Sequence, residues 1–415
     1  MAVDNYTLGD IDIINLVVSS ARGSMILKNS FISASIYESI FTPGMVCDIK
    51  VFDQNDELGQ LKLTGDETVR FTFKVPGSDE ADFVFALYDL KDVESMGAQK
   101  SKNYTLMCVS QEAMYARTNY VRKSYNQSCS QMIRDVHTTY LRSTKPINVE
   151  DTRGAQRIVI PNRSPYEAIN LIRSRSVSPD YASSFYVYFE NRKDQLQTYN
   201  FSTIEYLFNT ESVKSFIQSD AINVNQLVRG DDNILAYKVP QQFSSTDRID
   251  FGGPRNLIVF NWRDGSVTRR VVNTNDSDFK DGGRGSMNSP EFRNRYFDNV
   301  EGAPPPIVMF EDTSQRPSSY LPESSPNFSA YIALLMQNSV RIRVTGDTKL
   351  TAGVTIDCTI PNKKSFTDGG SEDPLISGKF LISRIHHRIG EFADKPRYSC
   401  IIEGIKGRYE EGLNG

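Results

Sequence analysis

His386-His387 is the first place to look for chemistry, because imidazole is the commonest metal ligand and the side chain that titrates nearest neutrality. The pair stands in the run Lys379–Ile389, which reads as a strand. Neighbours on a strand point to opposite faces, so the two rings cannot share one metal ion without a bulge. His137 is the only other histidine. Five cysteines, Cys47, Cys108, Cys129, Cys358 and Cys400, are odd in number and lack CxxC spacing. They read as buried free thiols of a protein folded in a reducing cytoplasm. No metal and no cofactor is expected.

The remaining candidates fare no better. Lys280-Asp-Gly-Gly-Arg-Gly-Ser286 has the glycines of a phosphate loop but not the order GxxxxGK[ST], nor a preceding strand and following helix. It reads as a surface loop. Carboxylate pairs at Glu372-Asp373 and Glu410-Glu411 lie in polar surroundings, where nothing would split their pKa values for acid/base work. No Gly-x-Ser-x-Gly elbow occurs. Arg153, Arg157, Arg163, Arg173 and Arg175 make a locally basic stretch around Tyr166, read as a solvated rim rather than a phosphate grip. The chain is expected not to be an enzyme.

Those residues must be carried by several cores. At 415 residues the chain exceeds one ordinary domain, and 39% hydrophobic residues with 23 Phe and 20 Tyr can fill more than one. A net charge of −4 supplies no field to hold DNA or an anionic membrane. No apolar run approaches a membrane helix, so no membrane insertion is expected.

From Gly23 to Ser110 the pattern is β, with runs Met45–Phe52, Thr68–Val75 and Asp82–Leu90 and hairpin-type turns at Gln54-Asn55-Asp56 and Pro76-Gly77-Ser78. Ser130–Leu141 follows as an amphipathic helix, with Met132, Ile133, Val136 and Tyr140 at helical spacing. Ser164-Pro165-Tyr166-Glu167 is a capping box that opens a second helix. Ser184–Glu190 and Gln195–Asn200 read as a hairpin, and Ser202-Thr-Ile-Glu205 as a capping box opening a short helix through Phe208. Residues 241–327 look like an inserted excursion, with a hairpin at Leu257–Trp262 and Val267–Val272. A short helix over Ala330–Gln337 and strands Val340–Thr345, Val354–Ile360, Lys379–Ile389 and Tyr398–Ile405 follow.

The two β regions repeat one another. Phe41-Thr-Pro-Gly44-Met-Val-Cys-Asp48 matches Leu350-Thr-Ala-Gly353-Val-Thr-Ile-Asp357, so Gly44 and Gly353, and Asp48 and Asp357, are expected at equivalent repeat positions. Phe85–Leu90 parallels Phe380–Ile385, and Tyr104–Cys108 parallels Tyr398–Ile402. One chain would then carry two copies of one small barrel, which lets an assembly of few chains present twice as many equivalent surfaces.

Taken in order, Ile160-Pro-Asn-Arg-Ser-Pro-Tyr-Glu-Ala-Ile-Asn-Leu-Ile172, Phe-Tyr-Val-Tyr-Phe-Glu-Asn191, Ile204-Glu-Tyr-Leu-Phe208, Val344–Val354 and Ile376–Ile382 resemble the baseplate hub proteins of contractile-tailed bacteriophages. The resemblance runs from about residue 10 to 407 and rests on collinear turns and packing positions. It implies an α+β, mainly β fold with two tube-like antiparallel β-barrels, a mixed α/β domain between them and an insertion in the second barrel. The boundaries it suggests are 1–112, 113–200, 201–240 plus 328–407, 241–327 for the insertion, and 408–415 for the tail.

It implies further a homotrimer joining the sixfold tail tube protein to a threefold central spike protein, with DNA passing through its channel. Baseplate wedge and tape-measure proteins are further partners, and the location is the virion tail after assembly in the host cytoplasm. The chain ends at Gly415 without a fused spike module, so a separate spike is expected. The tract 280–306 has no place on the family pattern. The competing class is a tail-associated glycan hydrolase or a β-rich carbohydrate- or receptor-binding protein. Trp262 is the only tryptophan such a binding face could use.

Overall fold

The computed structural model describes residues 9–54, 57–95, 101–181, 185–193, 195–218, 232–241, 245–246, 255–272, 295, 307–311, 339–361, 373, 376–392 and 395–406. The helix expected at Ala330–Gln337, the tracts Lys280–Ser286 and Ala303–Pro306, Glu372 and the pair Glu410-Glu411 lie outside them.

The first β region comprises β1 (Asp12–Ser20), β2 (Gly23–Ile26), β3 (Phe31–Ser39), β4 (Val46–Asp53), β5 (Thr68–Lys74), β6 (Glu80–Ser95) and β7 (Lys102–Val109). A short helix α1 (Glu57–Leu61) separates β4 from β5. Alternation drives the burial: Cys47, Ile49 and Val51 on β4 face the core while Val46 and Lys50 face out. Gly77, with φ 79°, turns β5 back on β6 at the expected Pro76-Gly77-Ser78 hairpin. Asn55 and Asp56 of the hairpin turn expected at Gln54–Asp56 lie outside the described residues, and the strands on either side, β4 and β5, are not paired with each other. β4 pairs with β3 and β7, because α1 carries the chain across to β5 at the far side of the sheet.

The middle region holds α2 (Gln111–Thr118), β8 (Val121–Gln127), α3 (Cys129–Asp135), β9 (Ile147–Val149), β10 (Gln156–Arg163), α4 (Pro165–Arg173), β11 (Tyr186–Lys193), β12 (Leu196–Thr203) and α5 (Ile204–Phe208). Around Met132, Ile133, Ile172, Tyr186, Tyr199 and Phe201 it builds a core of its own. The capping box of α4 forms as expected, with the Ser164 hydroxyl and the Glu167 carboxylate each accepting from the other's backbone N–H. Two details differ. The helix expected over Ser130–Leu141 is α3 running into a π turn at Val136–Tyr140. The short helix is capped by Thr203, whose hydroxyl accepts from Tyr206 N, instead of by Ser202. Thr203 is the last residue of β12, opposite Tyr186, and stands directly before the first helical residue, which is the N-cap place.

The second β region has β13 (Ser212–Ile217), β14 (Ile234–Gln241), β18 (Ser339–Thr345), β19 (Thr355–Thr359), β20 (Gly378–Phe392) and β21 (Lys395–Ile405). Between β14 and β18 stand β15 (Arg255–Asn261), β16 (Val267–Val272) and β17 (Ile307–Glu311), a separate three-stranded sheet that contains the expected hairpin. Both β regions belong to one 13-stranded sheet, ordered β14-β18-β21-β20-β3-β4-β7-β6-β5-β1-β2, with β19 and β13 branching from β20. The mainly β, antiparallel class expected from the sequence is the class observed. The two copies are joined through β3 and β20, from Ser39↔Arg384 to Ser33↔Gly390.

Strand registers show how the copies correspond. β6 and β7 leave Tyr88 unmatched, with a further irregularity between Lys91 and Glu94, and β20 and β21 leave Ser383 unmatched at the place that answers to Tyr88. β3 and β4 skip Ile32 next to the Phe31↔Val51 pair, and β14 and β18 skip Leu235 next to the Ile234↔Val344 pair. Bulges are fixed features of a ladder, so coincident bulges align it residue by residue. β3, β4, β5, β6 and β7 thus correspond to β14, β18, β19, β20 and β21. Phe85 falls on Phe380, each paired across to a buried aliphatic residue, Val69 and Ile356.

Two expected matches are corrected by these registers. Gly44 and Asp48 belong to β4 and its approach, whereas Gly353 and Asp357 belong to β19, the counterpart of β5. In the ladder Asp48 corresponds to Arg341, and Asp357 to Arg70. A shared Thr-x-Gly before a strand reflects how strands are entered, and any strand of the sheet can use it. Tyr104 falls on Cys400, two residues beyond the expected Tyr398.

Candidate functional site

Buried polar side chains concentrate where the three regions meet. Glu38 on β3, 3% exposed, accepts from Thr351 Oγ1 and from the Ala352 backbone N–H at 2.9 Å, so it holds the loop that leads into β19. His387 on β20 lies with Nε2 3.4 Å from Glu38 Oε1 and Nδ1 2.7 Å from the Tyr398 hydroxyl. Tyr398 donates its proton to the Asp347 carbonyl at 3.3 Å, so the His387 Nδ1–H donates to Tyr398. Burial works against a charge on this ring; the Cys400 sulfur and the Glu38 carboxylate outweigh it and push the His387 pKa up to about 10.

The same loop is gripped from the middle region. Asn191 Nδ2 donates to the Ala352 carbonyl at 2.8 Å and the Arg192 N–H donates to Thr351 Oγ1 at 3.3 Å. The Arg192 guanidinium reaches in two directions, to the Thr348 carbonyl at 3.1 Å and to the Glu80 carbonyl of β6 at 2.9 Å. One side chain on β11 thereby ties the middle region to both sheet copies. Gly353 has φ 88° and would place a Cβ 2.6 Å from the buried Phe189 ring, so glycine is required there on both counts.

A second cluster lies behind it. Lys145 Nζ stands 2.8 Å from Glu112 and 2.7 Å from Glu190, and Glu190 also accepts from Ser110 Oγ and from Gln197 Nε2 at 3.1 Å. Ser110 closes onto the Met45 N–H at 2.8 Å, beside Gly44. Burial raises the pKa of Glu190. It opposes the charges of Lys145 and Glu112 as well, but their attraction prevails, so Lys145 is raised and Glu112 lowered.

Of the repeat positions expected from the sequence, Gly353 enters the junction, Gly44 borders the second cluster, and Asp48 and Asp357 lie half-buried on their strands outside both. His386 stacks on Tyr37 at 4.2 Å while His387 faces the other way into the junction, so the two do not converge. Among the described residues no group of three His, Cys, Asp or Glu side chains gathers as a metal site. All five cysteines are buried and free, and Cys47 and Cys108 stand opposite one another across β4 and β7.

The expected basic rim divides: Arg163 is exposed, whereas Arg173 is partly buried over the Phe185 ring. Sequence reading missed Glu38, Glu112, Lys145 and Glu190. One signal was present, a carboxylate inside the apolar run of β11, since a charge there must be paired. The arrangement is a set of fastenings between regions.

No family model matches the chain, and no curated protein matches it in sequence. Solved structures do. The tail protein from Neisseria meningitidis superposes with a TM-score of 0.57 at 10% identity, over 95% of this chain and 97% of that one. The 43 kDa tail protein of prophage MuSo2 from Shewanella oneidensis gives 0.53 at 12% identity, over 95% and 98%. The chain has the fold of these tail proteins along nearly its whole length.

Proposed function

We propose that this chain is a structural tail protein serving as the hub of a contractile phage baseplate. Three copies ring a channel, the sixfold tail tube rests on one face and a separate threefold spike on the other, and DNA passes between. Residues 1–112 and 201–240 plus 328–407 form the ring, 113–200 buttress it, and 241–327 are an insertion. Wedge and tape-measure proteins contact the outside, the particle assembles in the host cytoplasm, and the protein does no catalysis.

The observation that carries this reading is the duplicated ladder with its coincident bulges. Three chains so built offer six similar edges to a tube while keeping threefold symmetry for a spike. The likeness to tail proteins supports the tail assignment. Electron microscopy of the assembled particle tests it: threefold density for this chain with six alternating sheet copies is expected. Twofold or sixfold density, or copies far from the axis, would return it to the class of β-rich binding proteins.

A further inference from the structure

We infer that copies of this chain join head to tail by pairing β14 of one with the outer half of β6 of the next, repeating between molecules the β3·β20 joint found within each. The joint uses one edge of each sheet copy and leaves the matching edge of the other. β3 and β14 correspond, yet β3 pairs with both β4 and β20, whereas β14 pairs only with β18 among the described residues. β20 and β6 correspond, yet residues 384–390 of β20 lie between β21 and β3, whereas residues 89–95 of β6 have only β7 beside them among the described residues. These open edges lie on opposite sides of the internal joint, which is the geometry of a heterologous, ring-forming contact.

Apolar residues are exposed at both places where the joint would repeat. Val93, at the position of His387, is 58% exposed against 4%, and Leu235 on β14 is 51% exposed. Residues 91–94 are exposed in succession, on both faces, as an unpartnered edge strand is. Such an edge selects a strand as its partner, and the register of the internal joint says which.

Transferring Ser35↔Arg388 through the two ladders sets Lys238 opposite Glu94, an opposite-charge pair. Transferring Tyr37↔His386 sets Gln241 opposite Lys91. Between these points each open edge carries one residue more than its counterpart, at Val239-Pro240 on β14 and Asp92-Val93 on β6, so both strands gain equal length. Pro240 falls within the irregularity, where no ladder N–H is needed.

The pairing rests on the proposed ring for the number of copies, and cysteine cross-linking in tail particles carrying variants of the full chain separates the two. The native cysteines are buried and give little background. Glu94→Cys with Lys238→Cys should form intermolecular disulfides on mild oxidation, because directly opposed strand residues have the Cα spacing a disulfide needs. The covalent series should close at three chains. Ser35→Cys with Arg388→Cys, the internal counterpart, should close within one chain and serves as control. A series closing at another number keeps the pairing and overturns the threefold hub. A threefold particle without the intermolecular bond, while the control closes, overturns the pairing and leaves the hub. Separately, Glu94→Lys should weaken self-association by about fivefold and Lys238→Glu should restore it in the double variant. Loss without restoration would also count against this register.

Discussion

Tyr88 and Ser383 occupy the same bulge in two copies of one ladder, yet Tyr88 is 45% exposed and Ser383 fully buried. The difference is a neighbour. The Ser383 carbonyl accepts from the Ile40 N–H at 3.0 Å, just past the end of β3, and its hydroxyl donates to the Glu403 carbonyl at 2.8 Å. The same one-residue bulge has been built twice and covered once.

Gly353 and Gly44 should respond differently to alanine. At Gly353 the positive φ and the 2.6 Å approach to Phe189 act together, so Gly353→Ala should lower stability by about 1–3 kcal/mol. Gly44 lacks the positive φ, and its added Cβ would meet Ser110 Oγ at 3.2 Å, so Gly44→Ala should cost less. Urea unfolding of the two variants side by side checks the order.

Removing the cation from the second cluster should be severe. Lys145→Met leaves Glu112 and the wholly buried Glu190 without their partner, a change that costs about 3–5 kcal/mol when a buried pair is broken from one side. Adding Glu190→Gln should recover part of the loss, since a neutral amide can still meet Ser110 and Gln197. Thermal melts of the single and double variants read both effects.

Stability should depend on pH on both sides of neutrality. His387 has a folded pKa raised to about 10 from an ordinary value near 6.5, so its contribution is fully present below about pH 6.5 and is lost as pH rises toward 10. His387→Gln should flatten that alkaline limb. His137, lowered by burial that outweighs its hydrogen bond to the Lys145 carbonyl, acts the other way. The unfolded chain binds its proton first, so stability falls as pH drops below about 6.5, and His137→Gln should flatten the acid limb. Melting temperatures across pH 4–10 separate the two.

The protein should carry no stoichiometric transition metal and release no fragments from peptidoglycan. Elemental mass spectrometry and a turbidity assay check this. One bound zinc per chain, or turnover lost in His386→Ala, would require a site that neither histidine geometry supplies.

Much of the architecture was legible because it follows from short-range rules. Alternation along β4 and β5 marks strands, Ser164-Pro165-Tyr166-Glu167 marks a helix start, and Pro76-Gly77-Ser78 marks a turn, each from constraints acting within a few residues. The Phe85 and Phe380 match also needed only sequence, since both copies keep the same buried face at the same distance before the bulge.

Partnership across long separations was decided only in three dimensions. Alternation says that a strand has an inner face but not which strand lies beside it, so the match of Gly44 with Gly353 joined positions on non-equivalent strands. Glu38 holding Thr351, Arg192 spanning both copies and Lys145 between two carboxylates leave no local periodicity, because each interaction depends on chains brought together by packing. The sequence by itself determined that this protein is built of two alike β units around a mixed centre. Which edges those units share, and which they leave open, was settled by the hydrogen-bond registers of the folded sheet, where a shift of one residue would turn every core side chain outward.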